Sequence, residues 1–150
     1  MNKIFRLKPG WAFVIFAFLD TICVGMGMGV PIFNILFGFL VGWYIVGMIT
    51  VTTEQLGQVL KKVLLYAAIT SAVTFVEMVV LWGRTISMLF DPGADLANFG
   101  IPMILYEPRA SFIGWLVLMM VISPFLQLLT TVFGSHLTLL FLRKTWQTCK

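Results

Sequence analysis

Residues 21–53 read TICVGMGMGVPIFNILFGFLVGWYIVGMITVTT, thirty-three positions between Asp20 and Glu54 without one formal charge. A second run of the same length, residues 110–142, reads ASFIGWLVLMMVISPFLQLLTTVFGSHLTLLFL and holds a single titratable group, His136. A helix needs only about 20 apolar residues to cross a bilayer. Working outward, the 150-residue chain is 60% hydrophobic and 11% charged, where a soluble domain carries about 25% charged residues. These figures point to an integral membrane protein and exclude a soluble enzyme, a secreted disulfide scaffold and a disordered tail.

The net charge of +4 does not imply nucleic acid. The Lys and Arg residues fall in short clusters at the ends of apolar segments, which is how topology is set rather than how phosphates are tracked. Cys23 and Cys149 form no CxxC pair and suggest neither a disulfide nor zinc.

The fold expected is an all-α membrane protein, a four-transmembrane-helix bundle in one domain over residues 1–150. Its helices should cover about 11–30, 31–50, 63–83 and 112–142. The basic start with Lys3, Arg6 and Lys8 before an apolar run is open to a signal-peptide reading. No Ala-x-Ala site follows, and Asp20, Gly25, Gly27 and Gly29 continue into further apolar sequence, so the segment is read as a retained first span. Pro31 suits a first helical position, and the glycines before it permit a tight reversal.

Lys3, Arg6, Lys8, Lys61, Lys62, Arg143, Lys144 and Lys150 fall on one side of this arrangement, Arg84 and Arg109 on the other. That asymmetry predicts both termini in the cytoplasm of a prokaryotic plasma membrane, with Trp11 and Trp146 at the inner interface and Trp82 and Trp115 at the outer one. Thirty-three helical residues would reach about 50 Å across about 30 Å of hydrocarbon. A kinked fourth helix is therefore expected near Ser123, where Pro124 removes a backbone donor, or else an outer segment lying along the interface. The longer extracytoplasmic connection, residues 83–110, contains Asp91-Pro92-Gly93, a turn signal. Its apolar pieces, 86–90 and 101–106, should fold over the bundle or lie at the interface. Asp91 and Asp95 lack the spacing of a calcium loop, so no metal is expected there.

Small residues recur every fourth position: Ala17, Thr21, Gly25 and Gly29 on helix one, Asn34, Gly38 and Gly42 on helix two. Such ridges let backbones approach in lipid. Packing within one subunit is the simplest account, and a homodimer or partner protein across the Gly38 to Gly42 face is the alternative.

Asp20 and Glu77 lie within the spans, at depths of about 14 and 21 Å from the inner ends of their helices. Acids at such depths usually face the bundle and mark a pathway. Tyr66, Thr70, Thr74, Glu77 and Arg84 form one polar stripe on helix three, and Ser123, Gln127, Thr131 and Thr138 another on helix four. An interior layer of Asp20, Glu77, Gln127 and threonines follows. Two readings are open for it: proton, cation or small-solute binding, with Gln127 and Thr131 as neutral ligands, or acids that only fix helix register, Glu77 by pairing with Arg84.

His136 lies almost opposite Gln127 around its helix, so neither haem nor metal is expected within this chain; ligation shared with a partner chain is the remaining option. No nucleophile with a spaced base, phosphate loop or HExxH is present. No cofactor and no enzymatic activity are expected. The functions left are a small transport or ion-handling component working as an oligomer in the lipid bilayer, and a non-catalytic subunit of a larger membrane complex. A membrane enzyme acting on lipid is a third reading, for which both acids are too deep.

Overall fold

The computed structural model describes the backbone of residues 7–26, 30–50, 56–98 and 105–148. Gly29 of the first ridge, Lys3, Arg6 and Lys150 of the charge asymmetry, and Cys149 lie outside the described residues, as do the side chains of Arg143, Lys144 and Trp146.

The described residues are helical and contain no strand. In chain order they form α1 (Pro9–Gly25), α2 (Val30–Thr50), α3 (Leu56–Trp82), two 3-10 segments (Gly83–Phe90 and Leu96–Asn98), α4 (Pro108–Val117), a π turn (Leu118–Ile122) and α5 (Ser123–Thr148). Among the described residues, three stretches are long and apolar enough to cross a membrane: Pro31–Thr50, Leu56–Phe90 and Pro108–Leu142. The first helix, Pro9–Gly25, is apolar but only 17 residues long, about 25 Å against about 30 Å of hydrocarbon.

Local chemistry explains the boundaries. Pro9 and Pro108 each stand in the first turn of a helix, where the missing N–H is not needed. Glu107 caps α4 by accepting from the Ala110 backbone N–H at 3.0 Å. On α3 the buried line Val59, Val63, Ala67, Thr70, Thr74, Met78 steps by three and four and begins before Lys61 and Lys62. The helix therefore starts about two turns earlier than the lysine pair suggests. Just before Pro124, the Ser123 N–H reaches back five residues to the Leu118 carbonyl. That π turn occupies the place where the proline interrupts the usual ladder. In the connection, Gly93 N–H donates to Asp91 Oδ1 at 2.9 Å, closing the turn, and the Arg109 guanidinium donates to the Leu89 carbonyl at 3.0 Å.

Two parallel pairs build the bundle. On α1 and α3, Asp20 meets Thr74, Thr21 meets Glu77, and Val24 meets Trp82; the numbers rise together. On α2 and α5, Asn34 meets Ser123 and Gly42 meets Ser135. The small-residue face of α2 packs on α5, not on its hairpin neighbour α1. A Cβ added to Gly38 would fall 2.8 Å from the Gln127 carbonyl oxygen, one on Gly42 2.9 Å from the Ser135 nitrogen, and one on Gly134 3.1 Å from the Phe39 Cα. By contrast, a Cβ on Gly25 would meet nothing within 4 Å.

The apolar interior is in two parts. Phe16, Phe37, Val41, Ile45, Val46, Ile49, Val59 and Val63 fill one end, with Phe16 and Phe37 stacked at 5.6 Å between centroids. Val24, Met78, Trp115 and Met119 fill the other. Trp115 is buried within this second cluster. Trp82 donates its indole N–H to the Val24 carbonyl at 3.1 Å, satisfying one of the carbonyls left open at the end of α1.

Gly38→Ala and Gly42→Ala should each destabilise the protein by about 1–3 kcal/mol, because the added methyl meets backbone that cannot rotate away. Gly25→Ala should be neutral or slightly stabilising. Unfolding of the purified chain in detergent measures the contrast; equal effects at the three positions would refute it.

Candidate functional site

Between the two apolar clusters lies a polar belt. Asp20, Asn34, Thr74, Ser123 and Gln127 are each 0% exposed. Four elements supply it. Asp20 is one turn from Phe16 on one side and from Val24 on the other; Thr74 is likewise one turn from Thr70 and Met78. Asn34 comes from the first turns of α2, and Ser123 and Gln127 from the start of α5.

The Asp20 carboxyl is held at both oxygens. Thr74 Oγ1 lies 2.5 Å from Oδ2, and Gln127 Nε2 donates to Oδ1 at 3.3 Å. Thr74 Oγ1 also lies 3.1 Å from the carbonyl of Thr70. A hydroxyl has one proton to give and lone pairs to receive with. With Asp20 ionised, Thr74 donates to the carboxylate; with Asp20 protonated, the acid donates to Thr74, which then donates to Thr70. Both states are hydrogen-bonded without moving a heavy atom.

Glu77 stands apart from this group. The buried line on α3 passes from Thr74 to Met78, and Glu77 sits 60° round the helix, half-buried at the seam with α1. It accepts from Thr21 Oγ1 at 3.1 Å, and Thr21 is exposed and also 2.8 Å from the Ala17 carbonyl. Arg84, two turns outward, is exposed and makes no contact with Glu77 among the described hydrogen bonds. Thr131 is buried one turn beyond Gln127 on α5, and its neighbour Ser135 donates toward the Gly42 and Thr131 carbonyls. His136 is exposed, with Nδ1 3.1 Å from the carbonyl of Val132 on its own helix.

Of the residues singled out from sequence, Asp20 and Gln127 are brought together, Thr131 continues their column, and Glu77 is placed outside it. Thr74, named only as part of a stripe, is the direct partner of Asp20. Asn34 was counted as a small ridge residue, yet its Nδ2 donates to Ser123 Oγ at 3.0 Å inside the belt. One signal for it existed: it is the only amide side chain in the uncharged run 21–53.

A cavity of about 400 Å³ opens between α1 and α2, lined by Phe13, Phe16, Phe37, Tyr44, Tyr66 and Thr70 among others. None of its lining residues is charged, and the Thr70 hydroxyl is taken by the carbonyls of Tyr66 and Ala67. It offers room for apolar chains and no ionic chemistry. Among the described residues, no three His, Cys, Asp or Glu side chains gather as a metal would require.

No protein-family model, curated protein or solved structure matches this chain.

Thr74→Val keeps the shape of the side chain and leaves a buried carboxyl short of a partner. It should cost about 1–3 kcal/mol. Thr50→Val, which removes a hydroxyl bonded only to its own helix at Val46 and Gly47, should stay within about 0.5 kcal/mol. Unfolding midpoints of the two variants in detergent make the comparison, and a Thr74 effect no larger than that of Thr50 would count against a structured carboxyl site.

Proposed function

We propose that this protein is a small ion- or proton-handling component of a membrane, with Asp20 as the group that binds and releases the carried charge. One observation carries the reading: a fully buried acid, on a helix without a single Lys or Arg from Pro9 to Gly25, is held by a hydroxyl that serves either of its protonation states. An ionisable side chain inside a membrane protein marks an ion or proton pathway far more often than a structural accident, since placing it there costs about 2.5–3.5 kcal/mol or more.

Thr21 adds a second switchable hydroxyl. It follows Asp20 on α1, and its proton is shared between Ala17 and Glu77. Asp20 is thereby the interior station and Glu77 the peripheral one, with Gln127 orienting the first and Thr131 next along α5. The apolar clusters on either side of the belt and the 0% exposure of Asp20 support a gated rather than an open path. The charge asymmetry of the connections supports a cytoplasmic position for both termini in a plasma membrane.

Asp20→Asn should abolish pH-dependent flux in proteoliposomes while the variant remains folded and keeps its Thr74 and Gln127 neighbours. Unchanged flux would remove Asp20 from the mechanism.

Glu77 favours a second reading that is compatible with the first. A half-buried carboxyl at the α1–α3 seam, bonded to the exposed Thr21, gains from a neighbouring polypeptide over that seam, either another copy of the chain or a different membrane subunit. Mass determination after purification in mild detergent separates these. A stoichiometric foreign partner identifies a non-catalytic subunit, a homo-oligomer supports autonomous ion handling, and a bare monomer argues against any cover on this face.

A further inference from the structure

The hydrogen bonds of the belt leave oxygen acceptors over. Asn34 Oδ1, Gln127 Oε1 and Thr131 Oγ1 are buried and have no hydrogen-bond partner, although nearly all buried polar atoms in folded proteins are paired. One N–H of each amide is already used, that of Asn34 on Ser123 and that of Gln127 on Asp20. The atoms left without any partner are all oxygens, and they come from neighbouring turns. Asn34 faces the residue one turn before Gln127 on α5, Thr131 is one turn after it, and the Asp20 carboxyl touches Gln127.

A positively charged occupant suits such a set. A water molecule would donate to two of these oxygens but leave the Asp20 carboxylate unbalanced, whereas a cation satisfies several oxygens and balances the charge at once. Among the described residues no basic side chain is placed to do so: residues 9–50 and 110–142 contain no Lys or Arg, and Lys62 on α3 and Arg84 just beyond its end are ten or more residues from Thr74 and exposed. Charge balance then selects the valence. The belt itself holds one carboxylate, with Glu77 outside it at the α1–α3 seam, so it neutralises a single positive charge, and a divalent ion would leave an unpaired charge in a low-dielectric interior. The ligands are hard oxygens of the kind that bind alkali and alkaline-earth ions rather than transition metals.

We propose that the belt is a binding site for one dehydrated alkali-metal cation, held by the Asp20 carboxylate with Gln127 Oε1 and Asn34 Oδ1 as neutral ligands. Thr131 Oγ1 is the next oxygen along α5 toward the inner end. The proposal rests on the ion-handling reading above and narrows it to a metal ion of charge +1.

The test is a titration of the purified full chain in detergent at fixed pH and constant ionic strength, replacing choline chloride by LiCl, NaCl or KCl and following the unfolding midpoint. A saturable rise of several degrees with at least one alkali ion is expected. Gln127→Leu and Asn34→Leu should each weaken the apparent affinity at least tenfold, while Thr50→Val keeps it. Identical midpoints in choline and all three alkali salts would overturn the proposal, as would a rise given by CaCl2 alone. Should a leucine variant fail to fold, the wild-type titration still decides. If no alkali ion binds but Asp20→Asn still abolishes pH-dependent flux, the cation site is wrong and the proton-handling reading stands. If that substitution leaves flux unchanged, the reading beneath both is wrong.

Discussion

A single carboxyl enclosed by helices in an apolar medium sets terms for everything around it. Asp20 is 0% exposed, and each of its oxygens takes a donor from the polypeptide. Thr74 and Gln127 provide them from two different helices. That requirement fixes the register of α1 against α3 and of α1 against the start of α5 more sharply than apolar packing can. In lipid, one greasy side chain is nearly as well off against a fatty tail as against another greasy side chain. Polar contacts therefore carry the specificity, and the apolar clusters on either side carry the seal.

Close backbone approach is the second constraint, and it makes the first possible. At Gly38 and Gly42 the main chain of α2 comes against the carbonyls and hydroxyls of α5 at distances no side chain would permit. Bringing those helices together carries Asn34 alongside Ser123 and aims the polar face of α5 inward. The neighbouring π turn serves the same end. Where Pro124 leaves a carbonyl without its partner, the helix widens rather than breaks, and the Ser71 hydroxyl reaches across from α3 to the Pro124 carbonyl at 2.8 Å.

Several features were legible from residue order. The uncharged runs define apolar helices, the Asp91-Pro92-Gly93 signal marks a turn, and the polar stripes assign Asp20 and Gln127 to one interior layer. Other features were not. Glu77 shares a helical stripe with Thr70 and Thr74 on a coarse wheel, but a step of three residues from Thr74 turns 60° one way and a step of four turns 40° the other. Which of the two, Glu77 or Met78, faces inward depends on where the neighbouring helices stand. The start of α3 was hidden for a similar reason. A lysine pair reads as the end of a span, although a helix continues past the membrane boundary whenever its buried line has something to pack against.

Composition alone determined that this chain belongs in a membrane, since no arrangement of so many apolar residues and so few charges is at ease in water. The order of residues determined where helices form and which of them carry acids. Only the tertiary structure decided which acid is enclosed, which hydroxyl it shares a proton with, and which oxygens are left unsatisfied. Those outcomes depend on the rotation and spacing of helices relative to one another, and in a medium that rewards every apolar face equally, a single helix does not encode which way it will turn.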